Sequence, residues 1–206
     1  MAHQSAPPFL TLHALRIKGF AKAETLAELA ALPVTDVEVH LTDLQQRELA
    51  MFREARALWQ LTPAGREAHA VALAADVDGL DPAVALRDHY QEFLGQNEAF
   101  KILCGDWQLR DGGPNDHSDA DYDRAVLDRL VELDAAARPI VSDMGGIVAR
   151  FGHYEPRLEQ TCRRVLAGET NMFTGVMCGS YHDVWMELHE DLILTQQIDR
   201  AREGSF

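Results

Sequence analysis

Apolar positions recur at two periods along residues 11–69. Leu12, Leu15 and Ile17 give a first helix one apolar side. Leu26, Leu29 and Ala30 do the same for a second, Ala23 to Ala31. Leu32-Pro33-Val34 interrupts the pattern, because Pro33 has no N–H and disfavours helical geometry at Leu32. A third helix follows with Val37, Leu41 and Leu44 inward, capped by Thr35 with Glu38 as its capping-box partner. From Met51 to Leu61 the period shortens to two around a polar middle of Arg53, Glu54 and Arg56, which predicts a small hairpin. Thr62-Pro63 then opens a helix with a cap and a first-turn proline, running to Val77.

Beyond Asp78-Gly79-Leu80 every further element is expected to be helical, with no strand after residue 62. Asp81-Pro82 starts a helix to about Leu103 with Tyr90, Phe93 and Phe100 in its stripe, interrupted at Gly95. Gly105 to Ala120 is the one long irregular segment. Asp121 to Arg138 is a helix that Pro139 ends or kinks, and Ile140 to Phe151 a weaker one broken at Gly145-Gly146. Glu155-Pro156 begins a helix that stops at Gly168, and a last helix spans Tyr181 to about Arg200. The fold class is mainly α: a helix-turn-helix with a small β wing at about residues 8–70, then an acidic helical bundle at about 80–206.

The segments AETLAELAALPVTDVEVHLTDLQQREL and WQLTPAGREAH resemble winged helix-turn-helix regulators of the MarR and PadR type, over the first third of the chain. The resemblance implies a dimeric regulator that reads double-stranded DNA with its third helix. The polar groups offered to DNA are Thr35, His40, Thr42, Gln45 and Gln46 on that helix, with Arg47 at its end, Arg53 and Arg56 in the wing, and Lys18 and Lys22 beside the first helix. The chain departs from the pattern at Asp36 and Glu38, where such regulators carry Ser, Thr or Arg.

Charge sharpens that departure. The net charge is −14 over 206 residues. Residues 1–70 hold seven Lys/Arg against eight Asp/Glu, and residues 71–206 twelve against twenty-five. Wholesale binding to nucleic acid or anionic membrane is disfavoured. The alternative is therefore a protein-interaction module that keeps the winged-helix fold without tight DNA binding. Three widely spaced cysteines, Cys104, Cys162 and Cys178, suit a reducing cytoplasm and argue against a disulfide framework or a zinc site. No apolar run approaches a membrane span, and the N-terminus does not read as a signal peptide.

Two constellations in the second half are candidates for a small-molecule effector. The segment GDWQLRDGGPNDHSDA places Trp107 and His117 in a loop long enough to carry function but without EF-hand spacing. The last helix carries His182, Trp185 and His189 at i, i+3 and i+7 on one face. Packing, a wall for an aromatic ligand and a metal site completed by another helix all fit that spacing. GxSxG, P-loop, GxGxxG and HExxH templates are absent, and nothing arranges Cys178 as an activated thiol beside His182. Neither catalysis nor a cofactor is expected.

Overall fold

The computed structural model describes residues 1–199. They are mainly helical, with a small antiparallel sheet, and divide into two units: Met1–Ala85 with the residues from Ile193 on, and Leu86–Leu192.

The first unit runs α1 (Pro7–Lys18), β1 (Phe20–Ala21), α2 (Ala23–Ala30), α3 (Val34–Gln46), β2 (Ala50–Arg53), β3 (Leu58–Leu61) and α4 (Pro63–Asp76). α1 packs on α2, α3 and α4. Leu12, Leu15, Leu26, Val37, Leu41, Leu44 and Leu61 close the core between them. Ala31 ends α2 in the left-handed region, φ 51°, and the Leu32 N–H reaches back to the Ala27 carbonyl. The turn into α3 is set two residues earlier than the sequence suggests. Pro33 is the cap residue and makes no side-chain cap, so Thr35 lies inside the first turn and no capping box with Glu38 forms. Proline's fixed φ, here −58° with ψ 140°, leads the chain into the helix, and its ring offers no acceptor to the first-turn N–H groups.

The sheet has the order β1-β3-β2, all antiparallel. Its third strand, β1, was not anticipated. At the hairpin's end the Thr62 hydroxyl accepts from the Gly65 N–H at 3.0 Å and donates to the Glu48 carbonyl at 2.8 Å, starting α4 as the sequence predicts. Gly65 sits where a Cβ would overlap the Leu49 carbonyl oxygen.

The elements after α4 depart further from expectation. Asp81-Pro82 opens only the short α5 (Pro82–Ala85), and α6 (Arg87–Gln108) runs unbroken through Gly95. The segment expected to be irregular from Gly105 is helical to Gln108. It then forms a two-stranded hairpin, β4 (Leu109–Arg110) with β5 (Gly113–Pro114). Asp111 and Gly112 turn it with φ of 51° and 81°, the Asp-Gly signature of a tight hairpin turn. The expectation of no strand after residue 62 is thereby corrected.

α7 (Ala120–Ile147) also continues through Pro139 and Gly145-Gly146 without ending. Pro139 and Ala135, whose carbonyl loses its partner, are both exposed, so water can satisfy the oxygen. A Cβ on Gly145 would lie 2.8 Å from the Gly152 Cα, so this glycine permits close backbone packing instead of a break. α8 (Tyr154–Leu166), the unanticipated α9 (Asn171–Thr174) and α10 (Tyr181–Gln196) follow. Arg200, the expected end of the last helix, lies outside the described residues. α6 and α8 pack on α7 around Phe93, Phe100, Leu130, Val141, Leu158, Phe173 and Trp185, all buried. No described helix is long and apolar enough to cross a membrane.

Candidate interaction face

Strand register decides what the first unit presents. Phe52 stands opposite Trp59 and Arg53 opposite Leu58, so successive residues of the hairpin point to opposite faces of the sheet. One face carries the cross-strand pair Phe52–Trp59, ring centroids 5.2 Å apart and 53° between planes. Together with Glu38, Thr42 and Gln45 of α3, and with Ala23 and Glu54, this pair lines a groove of about 440 Å³. The other face carries Phe20, Arg53, Leu58 and Gln60, which with Ala55 and Arg56 line a separate hollow of about 320 Å³. Arginines and aromatic groove therefore lie on opposite sides of one hairpin.

The residues expected to touch DNA are only partly available. Thr35, Thr42, Gln45, Gln46, Arg47, Arg53 and Arg56 are exposed. His40 is half-buried, its Nδ1 hydrogen-bonded to the Thr11 hydroxyl at 2.8 Å, which ties α3 to α1. Thr42 donates its hydroxyl proton to the Glu38 carbonyl at 2.8 Å. Arg47 is paired with Asp43 at 3.1 Å. Arg53 lies against Gln60: with that amide oxygen turned toward it, Nη2 and Nε donate at 2.8 and 3.2 Å. Arg56 makes no ion pair among the described residues. Lys18 is half-buried at the end of α1, and Lys22 is exposed at the start of α2. Around them Asp36, Glu38, Asp43, Glu48 and Glu54 are all exposed, so α3 and the hairpin present five carboxylates against three arginines, one already paired.

Sequence reasoning did not single out Phe52 or Trp59, and named Glu54 only in the polar middle of the hairpin. The alternation across the hairpin was a signal for the first two, since cross-strand aromatics share a face once the register is known.

In the second unit the effector candidates form two sets. Trp107 is buried at the end of α6 with the His117 ring tilted against it, centroids 4.5 Å apart and 42° between planes. The exposed His117 ring is hydrogen-bonded through Nδ1 to Asp123 at 3.0 Å and lies 3.2 Å from the Asn115 amide. On α10, Trp185 is fully buried, ringed by Phe93 at 5.0 Å, Phe100 at 4.8 Å and Tyr181 at 6.1 Å, and its indole donates to Asn97 at 2.9 Å. His189 is buried 3.5 Å from the Tyr90 hydroxyl, and His182 lies half-buried against Phe100. Phe173, in contact with both Trp107 and Phe100, joins the two sets. These rings pack against one another, leaving Trp185 no surface to offer a ligand.

A network of buried charges surrounds them. Asp191 takes Arg150 at 3.3 Å and the Tyr154 hydroxyl at 3.2 Å, and Glu187 takes Arg157 at 2.6 Å. Asp134 takes Arg138 at 2.9 Å and the Tyr181 hydroxyl at 3.3 Å. Burial holds the Asp134 carboxyl above its usual range despite Arg138. Tyr154 and Tyr181 are pushed well up, chiefly by burial and then by Asp191 and Asp134 respectively. No group of three or more His, Cys, Asp or Glu among the described residues is arranged to hold a metal ion.

No protein-family model matches this chain, and neither a curated protein nor a solved structure shows significant similarity to it.

Proposed function

We propose that the first unit is a winged helix-turn-helix domain that binds protein through α3 and the hairpin. The order α1-β1-α2-α3-β2-β3-α4 with a β1-β3-β2 sheet supports the winged reading. One observation carries the choice of protein over DNA: the carboxylate majority on α3 and the hairpin. Nucleic-acid affinity comes largely from cations that neutralise phosphate, and a net negative face forfeits that term. The second unit is then the helical partner that dimerises or carries an effector response.

A DNA-binding regulator is the second reading, favoured by Arg53 and Arg56 on the exposed hairpin. The two separate on retention of fragmented genomic DNA by the purified protein at two salt concentrations. The protein-binding reading expects no retention at either. A few palindromic sites held at low salt, released at high salt and lost in Arg53→Ala/Arg56→Ala overturn it.

A further inference from the structure

We propose that the groove between α3 and the hairpin takes an arginine-bearing segment of a partner protein, with the guanidinium over the Phe52–Trp59 pair and between Glu38 and Glu54. The proposal rests on the protein-binding reading of this same face and names the partner's chemistry.

The lining selects for a cation. Phe52 and Trp59 are half-exposed and offer ring faces, whose negative quadrupole attracts a positive group. Glu38 and Glu54 flank them, and neither makes an ion pair among the described residues, although paired carboxylates are common elsewhere in the chain. Thr42 has committed its proton to the Glu38 carbonyl, so its oxygen faces the groove as an acceptor only. Gln45 adds a side-chain amide that can turn its oxygen to a donor. Acceptors around a π surface make a poor seat for phosphate or carboxylate.

Arginine fits better than lysine. A planar guanidinium stacks on an indole while its edge donors reach two carboxylates, whereas an ammonium is a point charge with a tightly held water shell. At about 440 Å³ the groove exceeds one side chain, so neighbouring residues of the partner enter with it. Arg53 and Arg56 lie on the far side of the sheet and do not compete for the site.

The test follows the Trp59 indole signal by NMR while a capped oligo-arginine peptide is added to the full chain. Trp107 and Trp185 are buried and serve as internal references. The expected result is a saturable shift confined to Trp59, weakened about tenfold in Glu38→Gln/Glu54→Gln. Asp128→Asn/Glu132→Gln, which removes two exposed carboxylates from α7, should bind as the unaltered chain does. An unmoved Trp59, equal affinity in the groove variant, or an equal loss in the α7 variant overturns the proposal. A shift of Trp59 on dilution without peptide would place a second copy of this chain in the groove and overturn it as well. Failure here with no retention of DNA removes the arginine occupant alone, whereas salt-sensitive retention of DNA removes the reading beneath it.

Discussion

Replacing Trp185 with alanine should come close to unfolding the second unit. The side chain is fully buried and touches Phe93, Phe100 and Tyr181, so truncation removes its burial and leaves a cavity, a cost of about 3–5 kcal/mol. It also strands the Asn97 side chain, itself 4% exposed, whose oxygen accepts from the indole at 2.9 Å. A buried acceptor left unpaired costs a further ~1–3 kcal/mol, reduced if water enters the cavity. The sum of about 4–8 kcal/mol is large against the roughly 5–15 kcal/mol that holds a domain folded. At roughly 4 °C per kcal/mol for a unit of this size, it corresponds to a fall in Tm of about 15–30 °C. The assay is thermal and denaturant unfolding followed by near-ultraviolet dichroism and by far-ultraviolet signal, since two units need not melt together. Trp185→Phe isolates the polar part: it keeps most of the ring contact, loses the N–H and should cost about 1–2 kcal/mol. In that background Asn97→Ala should cost less than it does alone, with a coupling of about 1 kcal/mol. A Trp185→Ala protein that melts within two or three degrees of the unaltered chain, roughly the effect of a surface change, would falsify the packing role.

Three further outcomes follow from single positions. Gly65→Ala should destabilise by about 3 kcal/mol or more, because its Cβ meets the Leu49 backbone oxygen, while Gly95→Ala in α6, with open space around it, should stabilise by about 0.5–1 kcal/mol; denaturant midpoints showing equal shifts would refute the contrast. Burial pushes the Cys104 thiol up to about 12 and the Cys162 thiol to about 11, so a thiol reagent at neutral pH should modify the exposed Cys178 alone until denaturant is added; three thiols reacting at one rate would contradict this. Tyr154 and Tyr181 hold their protons more tightly folded than unfolded, so their contribution is fully present below the ordinary value near 10 and is lost as pH climbs above it. Absorbance at alkaline pH should show late phenol ionisation coincident with unfolding; all tyrosines titrating together in the folded protein would argue against it.

What the sequence made legible were features that depend on near neighbours. Val37, Leu41 and Leu44 face inward because a helix repeats every 3.6 residues, and Thr62-Pro63 starts α4 because cap and proline act within one turn. The misses needed distant or competing information. Pro139 reads as a break until the exposed side of α7 is known, and Gly145 until Gly152 is found against it. Asp111-Gly112 was a hairpin signal outweighed by the polar, turn-rich segment around it. Thr35 lost the cap position because Pro33 already occupied it. The candidate groove was hidden for a further reason. Alternation puts Phe52 and Trp59 each on some face, but only the pairing of β2 with β3 puts them on the same one. The stripe on α10 was legible as a stripe, with packing among the readings its spacing allowed, and the structure shows Trp185 and His189 buried.

The acidic excess also reads differently once burial is known. Asp134, Glu187 and Asp191 are buried carboxylates, and each is matched by an arginine: Arg138, Arg157 and Arg150. Such pairs cancel in the charge count, so they absorb none of the excess carried by residues 71–206, and breaking one by removing a single partner costs about 3–5 kcal/mol. The negative field outside the protein is therefore close to what the composition states. At the groove itself the exposed charges of α3 and the hairpin, five carboxylates against three arginines, set a field that reaches about a Debye length, roughly 8–10 Å at moderate salt, and favours an approaching cation. Low salt should then speed capture of an arginine-bearing partner and repel a DNA duplex from the same face. Since DNA binding and cation binding both weaken as salt rises, salt dependence alone does not separate them. The sign of the ligand that moves Trp59 does.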